Sequence, residues 1–175
     1  MKEFRKAICY FDPNCSTFNI EGTIEIIQET DRSPTMFVID LKNFPKNSTH
    51  AMHIHELGNL TNGCHSTGGH YNPHKEKHGS RYIQGIKRHA GDLINNIESD
   101  GHGKIRICFE DNLVKLSGKY SVIGRTIVIH SGIDDLGIGG IDDKGYIVDE
   151  KEHKESAKTG NAGGRMACAI IGINS

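Results

Sequence analysis

Strict alternation of apolar and polar residues dominates the chain. From Thr17 to Ile26, the side chains of Phe18, Ile20, Ile24 and Ile26 fall on one face, with Thr17, Asn19, Glu21, Thr23 and Glu25 opposite. Residues 35–42 repeat the pattern through Phe37, Ile39 and Leu41, and residues 104–110 through Ile105, Ile107 and Phe109. A period of two turns successive side chains to opposite faces, so these runs predict half-buried antiparallel strands. Shorter runs near 3–11, 50–56, 92–97, 113–120, 122–130 and 166–173 bring the total to about eight or nine, which predicts an all-β sandwich or flattened barrel.

Two stretches break the alternation. Residues 57–90 are rich in Gly, His, Asn and Lys, and residues 131–165 in Gly and charge, including Asp149-Glu-Lys-Glu-His-Lys-Glu-Ser. Loops of this length inside a compact domain are usually either functional or disordered. The first holds five of the eleven histidines and reads as a loop organised by metal; the middle of the second reads as a solvated, mobile insertion.

Composition narrows the field. With 175 residues the chain suits one domain, 1–175, and its 21 Gly against 4 Pro fit many tight turns. A formal net charge of −1 offers no global field for nucleic acid or membrane, so attraction for a charged substrate has to be local. No apolar stretch reaches the roughly 20 residues that span a bilayer, and the start lacks a signal-peptide core, which predicts a cytoplasmic protein. Heavy use of Ile, Asn and Lys suits an AT-rich genome such as a parasite's or a large virus's; for a virus the compartment would be the host cytoplasm. The five cysteines (Cys9, Cys15, Cys64, Cys108, Cys168) form no Cys-x-x-Cys pair, and their default in a reducing compartment is free thiols or metal ligands.

Eleven histidines are many for this length, and their placement matters more than their number. His53 and His55 lie two apart in a predicted strand, so both project from one face while Met52 and Ile54 point to the core. That pair is a good start for a transition-metal site, although two exposed histidines by chance would look the same. The following loop adds His65, His70, His74, His78 and His89, then Asp92 at His-x-x-Asp spacing; three imidazoles and one carboxylate suit tetrahedral zinc. His130 ends the run Arg125-Thr-Ile-Val-Ile-His on the outward face, where it can meet the first pair.

Several ordered motifs then resemble the copper/zinc superoxide dismutase family: His53-Ile-His-Glu-Leu-Gly58, Gly63-Cys64, Gly69-His70-Tyr-Asn-Pro73, Ile123-Gly-Arg-Thr-Ile-Val-Ile-His130, Asp134-Asp-Leu-Gly-Ile-Gly-Gly140 and the stretch from Thr159 to Ile173. The likeness runs from about residue 5 to the C-terminus. It implies an eight-stranded antiparallel Greek-key β-barrel of the immunoglobulin-like sandwich class. It implies copper held by His53, His55, His70 and His130, and zinc held by His70, His78, His89 and Asp92, with His70 shared. Asp134 would stand behind the ligands, linking His53 and His78. Cys64 and Cys168 would form the intrasubunit disulfide, leaving Cys9, Cys15 and Cys108 free. The implied reaction turns superoxide into oxygen and hydrogen peroxide on a redox-cycling copper beside a structural zinc. His70 would serve in proton delivery, Arg165 would attract the anion, and Lys158 and Thr159 would line the channel rim.

The resemblance also implies a homodimer with apolar contacts at Gly58, Ile123, Gly124, Ile170 and Ile173. Family members that depend on a copper chaperone often carry Pro near the last cysteine; Gly163-Gly164-Arg165-Met166 has none, which leans toward chaperone-independent loading. His50, His65, His74, His102 and His153 have no role in the family pattern and are expected on the surface. About two residues between His78 and His89, and about a dozen around 141–157, are extra relative to that pattern. Two rival readings, a copper-chaperone domain and a non-catalytic decoy, predict a lost ligand or a lost arginine, and every such residue is present.

Overall fold

The computed structural model describes residues 5–16 and 18–174. Residues 3 and 4 of the first predicted strand, and Thr17 of the second, lie outside them. The strands are β1 (Arg5–Phe11), β2 (Glu21–Gln28), β3 (Thr35–Lys42), β4 (Thr49–His55), β5 (Thr61–Cys64), β6 (Asn96–Glu98), β7 (Ile105–Asp111), β8 (Thr126–His130), β9 (Arg165–Ile170) and β10 (Gly172–Asn174), with one helix, α1 (Glu150–Thr159), before β9. They form two antiparallel sheets, ordered β10-β1-β2-β3-β7 and β6-β4-β8-β9. Ile171 alone separates β9 from β10, so one extended run crosses from the second sheet to the first. Joining that pair and setting aside β5, which is in neither sheet, leaves the eight expected strands.

The alternation predicts burial well where a ladder exists. In β3 the residues Thr35, Phe37, Ile39 and Leu41 are buried, with Met36, Val38, Asp40 and Lys42 less so or exposed. Phe37 pairs with Phe109 of β7, and the two rings stack at 4.9 Å. Ile20, just ahead of β2, and Ile24 and Ile26 within it form the inward series. Phe18 leaves it and is exposed, because Asn19 between Phe18 and Ile20 takes a left-handed φ of 55° that breaks the period.

The predicted strand at 113–120 does not form. Val114 and Leu116 are buried as its alternation requires, but their backbone is satisfied by side chains instead of a ladder. The Asp111 carboxylate accepts from Leu113 N and Val114 N, the Thr35 hydroxyl donates to Val114 O, and Gln28 Oε1 accepts from Leu116 N. Apolar periodicity fixes which side chains go inside; it does not say what pairs with the main chain.

The expected mobile insertion also has structure. Residues 150–159 are helical: Asp149 caps the start by accepting from Glu152 N at 2.9 Å, and Gly160, at φ 67°, closes the end with its N–H on Ser156 O. Glu150 and Glu152 in the first turn and Lys158 in the last complement the helix dipole. The segment ahead of the helix is solvated as expected, with Tyr146 and Val148 exposed. The helix itself docks through Ser156, which is fully buried and donates to Asp135 Oδ1 at 2.7 Å.

Candidate metal centre

β4 is buried on both faces, and that is why its histidines are useful. Met52 and Ile54 enter the core between the sheets, while His53 and His55 lie on the outer face under the 57–90 loop, 0% and 1% exposed. The loop is stitched to β4 by Tyr71 N to Ile54 O at 2.7 Å and Ile54 N to Gly91 O at 2.9 Å. Such anchoring sets His70 over the pair. β8 runs beside β4 with Ile127 and Ile129 in the core, and the β8–β9 register slips by one residue between Ile129↔Ala167 and His130↔Arg165. Irregularities of this kind re-aim a side chain, and here His130 meets His55 with Nε2 atoms 3.3 Å apart.

Donor atoms converge in two groups. One ring nitrogen each from His53, His55, His70 and His130 lie within 4.8 Å of one another, and so do donors of His53, His70, His78 and Asp92. Around Asp92 Oδ1 stand three Nδ1 atoms: His70 at 3.0 Å, His78 at 3.0 Å and His89 at 3.2 Å. His89 therefore joins the second group, with its ring 5.5 Å from His70 and 5.6 Å from His78. All six histidines and Asp92 predicted from the sequence are gathered here, and His70 sits between the two groups.

Hydrogen bonds on the far sides of the rings decide which atom is free to bind. His55 Nδ1 donates to Gly68 O, and His130 Nδ1 to Gly163 O, so each presents Nε2. His53 Nε2 lies 2.6 Å from Asp134 Oδ2 and His78 Nε2 lies 3.0 Å from Asp134 Oδ1, so each presents Nδ1. Asp92 Oδ2 accepts from Gly79 N and His89 N, leaving Oδ1 facing the three imidazoles. The buried Nδ1 atoms of His53 and His78 have no hydrogen-bond partner; for His78 the close approach to Asp92 lacks hydrogen-bond alignment. Buried polar atoms without partners are rare, and a cation satisfies both.

Electrostatics point the same way. Burial, with the neighbouring imidazoles, holds His53 down at about 3, His55 at about 2 and His130 at about 4, so these rings are neutral near pH 7, the form that can bind a metal. His70 is lowered by burial as well. Burial also opposes charge on His78, but its bond to Asp134 and the nearby Asp92 carboxylate outweigh that and raise it to about 9. Asp92 and Asp134 resist burial through their histidine bonds and stay ionised. One anionic carboxylate among imidazoles on the zinc side, against four neutral imidazoles on the other, matches a closed zinc site beside a copper site.

An open cleft of about 670 Å³ leads to His55, His70 and His130, with Lys158, Thr159, Asn161 and Arg165 on its walls. It is far larger than a diatomic anion, so selection falls to its floor and charge. Arg165 donates from Nη1 to Cys64 O (2.7 Å) and Thr67 Oγ1 (2.9 Å) and from Nη2 to Gly68 O (2.7 Å), which fixes the guanidinium at the entrance. The same loop is tied to β9 by the Cys64–Cys168 disulfide, with Cα atoms 5.7 Å apart across 104 residues of sequence. A chain-entropy model assigns a bridge of that span about 4.7 kcal/mol. Cys9, Cys15 and Cys108 are free thiols.

Not all histidines behave as expected. His65, His74 and His102 are exposed and His153 is half-buried, but His50 is buried. Its Nδ1 donates to His130 O at 3.0 Å and its Nε2 lies 2.8 Å from Ser48 Oγ, so it braces the strand that carries His130. Its place on the face of β4 that also carries Met52 and Ile54 was the available signal. Asn95 and Asn96, which hold Asp134, had none.

Fold and site together define a β-sandwich with two adjoining groups of metal-binding donors that have His53 and His70 in common. Residues 20–171 match the copper/zinc superoxide dismutase (SODC) family. A Cu-Zn superoxide dismutase of Neurospora crassa is 46% identical over 156 residues, covering 89% of this chain and 92% of its own. One of Cordyceps militaris is 41% identical over 168 residues, covering 96% and 97%. Among solved structures, the crystal structure of the clock protein EA4 superposes with a TM-score of 0.79 at 36% identity, covering 97% of this chain and 94% of that one. The chain belongs to the copper/zinc superoxide dismutase family, and copper and zinc, one of each per subunit, are its cofactors.

Proposed function

We propose that this protein dismutes superoxide to oxygen and hydrogen peroxide with His53, His55, His70 and His130 as the copper ligands and His70, His78, His89 and Asp92 as the zinc ligands. The observation that carries this assignment is the position of His70: both groups contain it and His53, but His53 Nε2 is taken by Asp134, whereas His70 Nδ1 faces Asp92 Oδ1 at 3.0 Å while its ring lies 4.0 Å from that of His53 and 5.1 Å from that of His55. Copper supplies the one-electron redox couple, and zinc a fixed charge that keeps the His70 ring in place. The residues do the rest. Asp134 orients one ring from each group, and Arg165 draws the anion toward the cleft floor. When His70 Nε2 is free it can take a proton and hand it to the reduced product, with Nδ1 still held on the Asp92 side.

The whole chain, 1–175, serves as one domain in this reading, with the metal loop at 57–90 and a charged guiding loop at 131–165. A homodimer is supported by the apolar surface that Ile170 and Ile173 expose, 41% and 81%, alongside exposed Leu57 and Leu60. Gly58 and Gly124 approach so closely that a β-carbon on Gly58 would come within 2.0 Å of Gly124 O, which keeps that face flat, and Ile123 packs against the core beside it. Cytoplasmic residence fits the three free thiols, and no helix among the described residues is long and apolar enough to cross a membrane. Copper loading without a dedicated chaperone fits the lack of Pro from Gly163 to Met166.

Loading the protein with copper and zinc and assaying superoxide loss, with His130→Ala as control, tests the assignment. Activity in the parent and its loss in the variant are expected. A fully loaded parent without activity would contradict the reading.

A further inference from the structure

We infer that Asn95 is a positioning residue for the copper side of the centre, setting through Asp134 how strongly His53 donates to the metal; the inference rests on the ligand assignment above. Asn95 is fully buried, and its Nδ2 donates to Asp134 Oδ2 at 3.1 Å and to Gly79 O at 3.0 Å. Both partners only accept, so the amide orientation is forced: a flipped amide would set oxygen against oxygen. Its Oδ1 is then left buried without a hydrogen-bond partner. That arrangement disfavours folding. The backbone does not require it either, because φ is 63° at this position and glycine adopts that conformation more easily. What the amide adds is its pair of bonds.

Those bonds complete the shell of Asp134. An ionised carboxylate has about four acceptor sites, two on each oxygen. Asp134 Oδ1 accepts from His78 Nε2 at 3.0 Å and Leu136 N at 2.6 Å. Oδ2 accepts from His53 Nε2 at 2.6 Å and Asn95 Nδ2. Asn96 grips the Asp134 main chain from the other side, accepting from its N–H at 2.8 Å and donating to its carbonyl at 2.9 Å. Asn95 therefore shares one oxygen with His53. A second donor on that oxygen withdraws electron density, weakens its pull on the His53 Nε2 proton and keeps the ring closer to neutral imidazole. Without it the ring gains imidazolate character and stabilises the more oxidised metal. The Gly79 bond adds a mechanical link, since Gly79 follows His78, so the two metal sides are tied to one amide.

The test is the copper reduction potential of the copper- and zinc-loaded Asn95→Gly protein, with the His53 Nε2–H proton resonance followed in the reduced, diamagnetic form. The potential is expected to fall, favouring Cu(II) over Cu(I) about tenfold, or about 59 mV for one electron. The resonance is expected to move downfield as its hydrogen bond to Asp134 strengthens. An unchanged potential in a fully loaded variant with the parent's visible spectrum overturns the inference and leaves the ligand assignment standing. A lowered potential with an unmoved His53 resonance overturns it too, because the effect would not pass through Asp134. A parent protein that takes up no copper at the four histidines overturns the assignment and the inference together.

Discussion

Gly160 lies directly on the contact between His78 and Asp134. A β-carbon at this position would come within 2.4 Å of His78 Nε2 and 2.5 Å of Asp134 Oδ1, and φ there is 67°. The residue that ends the inserted helix thus also packs against the carboxylate that bonds both His53 and His78. His78 is bonded to the same helix, its N–H donating to Ala157 O at 2.8 Å.

Gly160→Ala is therefore expected to push apart His78 and Asp134 and to strain the helix end by about 1–2 kcal/mol. Zinc affinity should fall about 10–100-fold, the usual range when a group behind a ligand is disturbed. Competition titration with a chromophoric chelator reads this directly. Parent-like zinc affinity would mean that the helix end is not coupled to the site.

His50→Leu removes the donor to His130 O inside the protein. A buried carbonyl left without a partner costs about 1–3 kcal/mol. Urea unfolding of the metal-loaded, disulfide-intact protein should show a loss in that range, with copper released at lower urea than in the parent. A stability unchanged within a few tenths would show that His50 does not brace β8.

Arg165 has a charge and a fork of hydrogen bonds, and substitutions separate them. Arg165→Ala should lower the second-order rate at low salt by about 10-fold or more and flatten its ionic-strength dependence, as expected when local steering is lost. Arg165→Lys keeps the charge but not the paired bonds to Cys64 O and Gly68 O, so it should retain much of the salt dependence at a reduced rate. Identical salt profiles for parent and alanine variant would rule out steering by this residue.

How far the chain could be read from its sequence follows from what each feature depends on. Period-two alternation located β3 and β7 because each pairs along its length and buries one face. It misplaced a strand at 113–120, where Asp111, Thr35 and Gln28 supply side-chain partners that no apolar pattern encodes. The residues that gather in the donor cluster were legible through the strand-borne pair His53 and His55, the His89-x-x-Asp92 spacing and the family motifs. His50 shares the parity of the inward Met52 and Ile54, but its bond to a carbonyl 80 residues away is nothing that a strand pattern encodes. Asn95 and Asn96 act only through the folded position of Asp134, and the insertion was read as solvated loop although its Asp149 cap and Gly160 stop are both helix signals.

The titration behaviour of the metal-free protein gives a further expectation. His53, His55 and His130 are held below the ordinary histidine value of about 6.5, so between that pH and about 4 the unfolded chain takes up protons that the folded one refuses. Stability from these rings is lost as pH falls through that window. His78, raised to about 9, works the other way: its contribution is full below about 6.5 and is lost as pH rises through 9. The urea midpoint of the chelator-treated protein should peak near pH 6.5 and fall more steeply on the acid side, where His53, His55, His130 and the likewise lowered His70 all lose stability, than on the alkaline side, where His78 does. A midpoint that rises from pH 6.5 to 4.5 would contradict this.

The central claim is that His70 belongs to both metals, and paired metal titrations of His70→Ala and His130→Ala test it most directly. His130→Ala should lose copper affinity and keep zinc close to the parent value, while His70→Ala should weaken both. Retention of parent-like affinity for either metal in a folded His70→Ala protein would contradict a shared ligand.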